Sequence, residues 1–146
     1  MYRKILVPID GSPHARYSLN QAVCLAQNQG PDTRVTLIHV GSFATFSELA
    51  LEADLARWLE DEGQALLRHA EEAFVGTTVL HDGVFRTGDP AEVICQVAAE
   101  GAYDLVVIGT RGRGLFTELL LGSVSHKVIQ HAPCPVLVVR RRASPA

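Results

Sequence analysis

The sequence predicts an α/β fold, a single open five-stranded and mostly parallel sheet with helices on both faces. Short continuous apolar runs, Ile5 to Ile9, Val35 to Val40, Leu105 to Ile108 and Val136 to Val139, recur along the chain and are rich in β-branched residues. Such runs suit strands buried on both faces. Between them lie stretches with apolar residues at helical spacing, bounded by glycine and proline. Strands alternating with helices lead to parallel pairing through right-handed crossovers.

Each element has its own signal. After the first strand, Asp10-Gly11 turns the chain, Ser12 is placed to cap a helix, and Pro13 suits its first position. Ala15, Leu19, Ala22, Val23 and Ala26 then form one face until Gly30-Pro31 ends the helix. The second strand follows. The longest helical stretch runs from about Ser47 to Phe74, with Leu51, Leu55, Leu59, Leu66 and Ala70 on one face and a solvated acidic run opposite. Gly63 is expected to weaken its middle, since glycine costs ~1 kcal/mol against alanine there.

Thr77 to Arg86 reads as an edge strand, although Asp82-Gly83 also fits a hairpin turn. Asp89, Pro90 and Glu92 then mark a helix start, with Val93, Ile94, Val97 and Ala98 facing inward and Gly101 at the end. A last helix spans about Gly122 to Ala132, before Pro133 and Pro135 lead into the fifth strand. Residues 1–142 are expected to form one domain, and 143–146 a frayed tail.

Composition narrows the function. A chain of 146 residues is the size of one domain, and a formal charge of −3 gives no electrostatic case for nucleic acid or an anionic membrane. The apolar runs are far too short to span a bilayer, and MYRKILVPIDGS has no signal-peptide pattern, so a cytosolic protein is expected. Three scattered cysteines, Cys24, Cys95 and Cys134, make neither a disulfide framework nor a CxxC pair.

The chemistry concentrates in GTRGRGLFTELLLGSVS, residues 109 to 125. Glycines at 109, 112, 114 and 122 let backbone N–H groups approach an anion, and Gly122-Ser123 stands where a helix N-terminus leaves amides unpaired. Ser123 and Ser125 add hydroxyls; Arg111 and Arg113 either pair with phosphates or extend into solvent. No glycine is followed by Lys-Ser or Lys-Thr, which excludes a P-loop, and Thr117 breaks a GxGxxG fingerprint. What remains is GxxG, nine residues, then GS. In an open parallel sheet, ligands bind beyond the carboxyl ends of the strands where strand order reverses, which selects the loops after Ile9, Val40 and Ile108.

Together ILVPIDGS, FRTGDPAEVI, DLVVIGTRGRG and GSVSHKVIQHAPCPVLVVR resemble the universal stress protein family nearly end to end. The spacing of Gly109, Gly112 and Gly122-Ser123 is similar to the motif of its ATP-binding branch. That resemblance implies a Rossmann-like sheet of the adenine nucleotide alpha hydrolase type. It also implies a site: Asp10 near ribose and phosphates, where it would hold a divalent metal, with Pro8 beside it and Val40 contacting adenine through its backbone. Gly109, Arg111, Gly112, Arg113, Gly122, Ser123, Val124 and Ser125 would surround the phosphates. The implied ligand is ATP, or ADP or AMP, with Mg²⁺ or Mn²⁺ as the candidate ion, and the implied assembly is a homodimer paired along Val136 to Val139.

The remaining polar residues carry less. His39 reads as packed or hydrogen-bonded, His126 and His131 lie on different helix faces, and Cys24 and Cys95 read as small core residues. No residue stands out to orient an attacking water, so slow hydrolysis at most is expected and no catalytic residue is assigned. Three readings remain: a nucleotide-dependent stress switch or sensor with a protein partner still to be identified, a dimeric scaffold without nucleotide, and a true adenine-nucleotide hydrolase.

Overall fold

The computed structural model describes residues 1–43, 52–110 and 121–141. Its elements are β1 (Lys4–Pro8), α1 (Pro13–Gln29), β2 (Arg34–Gly41), α2 (Glu52–Ala70), a 3-10 turn (Glu71–Phe74), β3 (Leu80–Thr87), α3 (Pro90–Glu100), β4 (Leu105–Gly109), α4 (Ser123–His131) and β5 (Val136–Val139). The strands form one sheet in the order β3-β2-β1-β4-β5, and every pairing is parallel.

Side-chain alternation splits the core in two, because successive residues of a strand face opposite sides. Ile5, Val7, Val35, Leu37, Leu105 and Val107 pack toward α1 and α2, together with Leu19, Ala22, Val23 and Leu67. Leu6, Ile38, Val106 and Ile108 pack on the other face with Ile94, Ala98 and Val128 of α3 and α4. Each fully buried aliphatic side chain contributes about 1.5–3 kcal/mol of transfer free energy.

The helix starts follow the sequence. Ser12 Oγ accepts from Ala15 N at 3.1 Å, and Asp89 Oδ2 accepts from Glu92 N at 3.1 Å, each with proline in the first turn. At the amino ends of the strands, Asp104 accepts from the amides of Arg3 and Lys4 at 2.8 and 3.0 Å, which ties β1 to the start of β4.

Several expectations are corrected. The edge strand begins at Leu80 rather than Thr77, and Asp82-Gly83 lies inside it, paired with Thr36 and Leu37, so there is no hairpin there. On α2 the buried positions are Leu59, Gly63 and Leu67, while Leu66 and Ala70 are half-buried. The α-helix stops at Ala70 and a 3-10 turn carries the chain to buried Phe74. The expected helix start at Ser47 and the frayed tail lie outside the described residues. Cys24 is exposed on the outer side of α1, whereas Cys95 is half-buried.

Gly63 has a packing role. A Cβ there would stand 2.4 Å from two ring atoms of Phe85 and 3.1 Å from the His39 ring, so α2 crosses β2 and β3 at a point that excludes a side chain. Gly63→Ala should therefore lower stability by about 1–3 kcal/mol from overpacking, in spite of alanine's better helix propensity. Urea unfolding measures this, and a higher midpoint would contradict the packing role.

Candidate functional site

Strand order reverses between β1 and β4, which are hydrogen-bonded neighbours with Ile5 opposite Leu105 and Leu6 opposite Val106. From β1 the chain moves outward through β2 and β3, then returns to β4 and continues to β5 on the other side. Connections from adjacent strand ends thus leave to opposite faces and part to form a crevice. The loop carrying Asp10 and the end of β4 at Gly109 and Thr110 border it from adjacent strands.

The β1 side is held rigidly. Ile9 N donates to Ile38 O at 2.8 Å, and His39 Nδ1 lies 2.8 Å from Ile9 O. Because a carbonyl only accepts, Nδ1 carries the proton, and His39 serves as a brace for the strand end, as its setting in the sequence suggested. Asp10 is half-buried, and its Oδ1 accepts from Ser12 N at 2.9 Å. Gly11 between them has φ +81°, a conformation that favours glycine. Asp10 is therefore fixed by its own turn, with one carboxylate oxygen already engaged.

Pro8 ends β1 opposite Ile38, and β2 extends beyond it to Gly41. In a strand, backbone polar groups alternate sides from residue to residue. Ile38 O faces β1 and Gly41 O faces the β3 side, where it accepts from Gly88 N, so Val40 turns its N–H and C=O toward the β1 side, past the point where β1 has ended. This leaves the Val40 backbone facing the crevice.

The β4 side is built from backbone. Gly109 and Thr110 are buried, and Thr110 N donates to Val139 O at 3.2 Å while Thr110 O accepts from Gly122 N. Ser125 Oγ donates to Gly109 O at 2.6 Å, which fastens the first turn of α4 to the end of β4. Gly109 needs to be glycine for a reason the motif did not disclose: a Cβ would come within 3.0 Å of His14 O and 3.2 Å of His14 Cβ, where α1 begins. Arg111, Gly112 and Arg113 lie outside the described residues, as does Gly114.

The start of α4 differs from those of α1 and α3. Its cap is Gly122, at φ −69° and ψ 160°, and no side chain caps the helix among the described residues. Those angles are open to any residue, so glycine is not demanded by conformation here. His126 N reaches back to Gly122 O at 2.9 Å, leaving the amides of Ser123, Val124 and Ser125 without intrahelical partners. Three N–H groups and the positive end of the helix dipole together favour an anion. Ser123 is exposed, Val124 is half-buried against the α3–α4 core, and Ser125 is buried.

Among the described residues there is no cluster of three or more His, Cys, Asp or Glu suited to hold a metal. An ion at this crevice would have Asp10 as its protein ligand and would take its other oxygens from phosphate and water. A concavity of about 770 Å³ lies between α1 and α2, reaching Ile9, Gly11 and Ser12 beside the Asp10 loop, and Arg16 donates to His69 Nε2 there at 2.7 Å. No helix among the described residues is long and apolar enough to cross a membrane.

Burial pushes the Cys95 thiol above its usual pKa, and burial followed by the nearby Asp104 carboxylate does the same to Cys134. Thiolate is the reactive form, so both thiols are slow nucleophiles near neutral pH. Maleimide labelling of the native protein should modify exposed Cys24 first, read by peptide mass spectrometry. Preferential labelling of Cys134 would overturn that order.

Compared with known proteins, the chain matches the model of the Universal stress protein family over residues 1–140. It is 35% identical over 150 residues to universal stress protein YxiE of Bacillus subtilis, covering 96% of this chain and 100% of that one. It superposes on universal stress protein UspA from Lactobacillus plantarum with TM-score 0.84 and 27% identity, covering 95% of this chain and 98% of the other. A universal stress protein in complex with cAMP superposes with TM-score 0.68 at 26% identity, covering 94% and 97% of the two chains.

Proposed function

This chain belongs to the universal stress protein family, and from that premise we propose that it is a cytosolic, ATP-binding switch or sensor of the stress response. The observation that carries this reading is the start of α4, where a glycine cap in ordinary extended geometry leaves the amides of Ser123, Val124 and Ser125 directed out of the helix. A helix end closed by a side chain, as in α1 and α3, has no such vacancy for an anion. The relative bound to cAMP adds an adenine nucleotide to the ligands handled by this architecture.

In this reading the phosphate chain lies against α4, with Gly109, Arg111, Gly112 and Arg113 completing the cradle. Adenine lies toward β2, where the backbone of Val40 offers one donor and one acceptor, and Pro8 and Asp10 line the ribose side. When bound, Mg²⁺ or Mn²⁺ supplies neutralisation of phosphate charge, with Asp10 as its protein ligand. Ser125 acts on the cradle through the Gly109 carbonyl, since its proton is committed there.

Hydrolysis is at most slow. Fast phosphoryl transfer needs a group that orients water and groups that stabilise charge on the transferred phosphoryl. Among the described residues, the carboxylate that heads the crevice, Asp10, accepts from Ser12 N through Oδ1 and is held in its own turn. A bound nucleotide that persists suits a device that reports occupancy to a protein partner.

The proposed homodimer pairs the β5 edges. Leu137 is 42% exposed on a four-residue edge strand, with Val136 and Val138 half-buried beside it. An apolar edge of this kind calls for a partner.

Two measurements test the reading. Gly122→Val puts a branched side chain where phosphate oxygens approach at angles valine tolerates, so ATP binding by calorimetry should be lost while the circular dichroism spectrum is kept; Ser123→Ala should cost about 1 kcal/mol. A folded Gly122→Val protein that binds ATP normally would falsify the cradle. For assembly, Leu137→Lys should shift the mass measured by light scattering from dimer to monomer, and a dimer that persists removes β5 as the seam.

A further inference from the structure

The Nδ1 atom of His14 is buried and has no hydrogen-bond partner. Among the described residues the only other side-chain atom in this position is Thr36 Oγ1, near the amino end of β2 and so away from the carboxyl rim where the crevice lies. Folded proteins rarely leave a buried polar atom unpaired, and such an atom calls for a partner from outside the chain, a water, an ion or a ligand. His14 sits in the first turn of α1, and its backbone and Cβ lie within 3.0–3.2 Å of the place a side chain on Gly109 would occupy. The ring is therefore rooted where β4 gives way to the glycine segment.

We propose that His14 is a ligand-contacting residue whose Nδ1–H donates to an oxygen of the nucleotide's phosphate chain. This rests on the nucleotide-binding reading and deepens it. The end of β4 then has donors on both sides, the α4 amides from one face of the sheet and the His14 ring from the other. An anionic chain passing over Gly109 is gripped between the two helix starts. The pairing also accounts for glycine at 109, since any side chain there would push α1 and its histidine away from the strand end.

The inference separates parts of the ligand. Adenosine keeps the base and ribose but has no phosphate, so the His14 contribution should vanish with it. Calorimetric titrations of the wild-type, His14→Ala and His14→Asn proteins with ATP and with adenosine give the comparison. His14→Ala should weaken ATP roughly tenfold or more, as for a hydrogen bond to a charged group, and change adenosine by less than about twofold. His14→Asn should recover most of the loss, because its amide nitrogen stands near the position of Nδ1.

A folded His14→Ala protein that binds ATP like the wild type overturns the proposal, as does an equal loss for adenosine. A wild-type protein that binds neither compound removes the nucleotide reading itself, which is a different result from a wild type that binds and an alanine variant that does not care. If His14→Ala fails to fold, the wild-type protein still decides by NMR: the His14 ring resonances should shift on addition of ATP and stay in place with adenosine. Ring signals unmoved by ATP at saturation overturn the proposal.

Discussion

Burial of the two central strands on both faces is the constraint from which the rest of the molecule follows. Ile5, Leu6, Val7, Val106 and Val107 are wholly withdrawn from solvent, and only a sheet with helices on each side does that for neighbouring strands. Covering both faces requires crossover connections, and crossovers make the pairing parallel. Every strand then points its carboxyl end the same way, and every following helix begins along one rim. The crevice is a by-product of how β1 and β4 are buried, before any residue is chosen for a ligand.

Along that rim the helix starts divide into two kinds. Ser12 and Asp89 close α1 and α3 with their own side chains, so those ends are complete within the chain. Gly122 closes nothing, and its helix is fixed instead from behind, by Ser125 on Gly109 and by the Gly122 amide on Thr110. The result is a rigidly mounted helix whose leading amides remain available. Rigid mounting and unspent donors are the two properties an anion site needs together.

Much of this was legible in the residues. The α1 face of Ala15, Leu19, Ala22, Val23 and Ala26 is buried as its spacing indicates, and the caps at Ser12 and Asp89 make the hydrogen bonds their residue types suggest. Local rules decide such features. What sequence could not disclose depends on how elements cross. Leu66 and Leu67 are adjacent and chemically identical, and only the angle of α2 on the sheet selects Leu67 for the core. Gly63 looks like a weak point in a helix until Phe85 and His39 are seen beneath it. Cys24, by contrast, was legible and misread: the spacing that buries Ala15, Leu19, Ala22, Val23 and Ala26 already places it off the face that meets the sheet. The role of His14 depends on the approach of α1 to Gly109, a contact between residues 95 positions apart with no trace in either segment.

The bonds at Thr110 have a wider consequence. Its amide holds Val139 at the end of the outermost strand, and its carbonyl holds Gly122 at the mouth of the crevice, so one residue is shared between the two through its two flanking peptide groups. A displacement of a few tenths of an ångström at Gly122 has a direct route to the sheet margin through two hydrogen bonds and no flexible side chain. If the proposed ligand in the crevice shifts Gly122 and the proposed partner seats on β5, the two would be linked equilibria, and linkage would be reciprocal: each would alter the affinity of the other by the same factor.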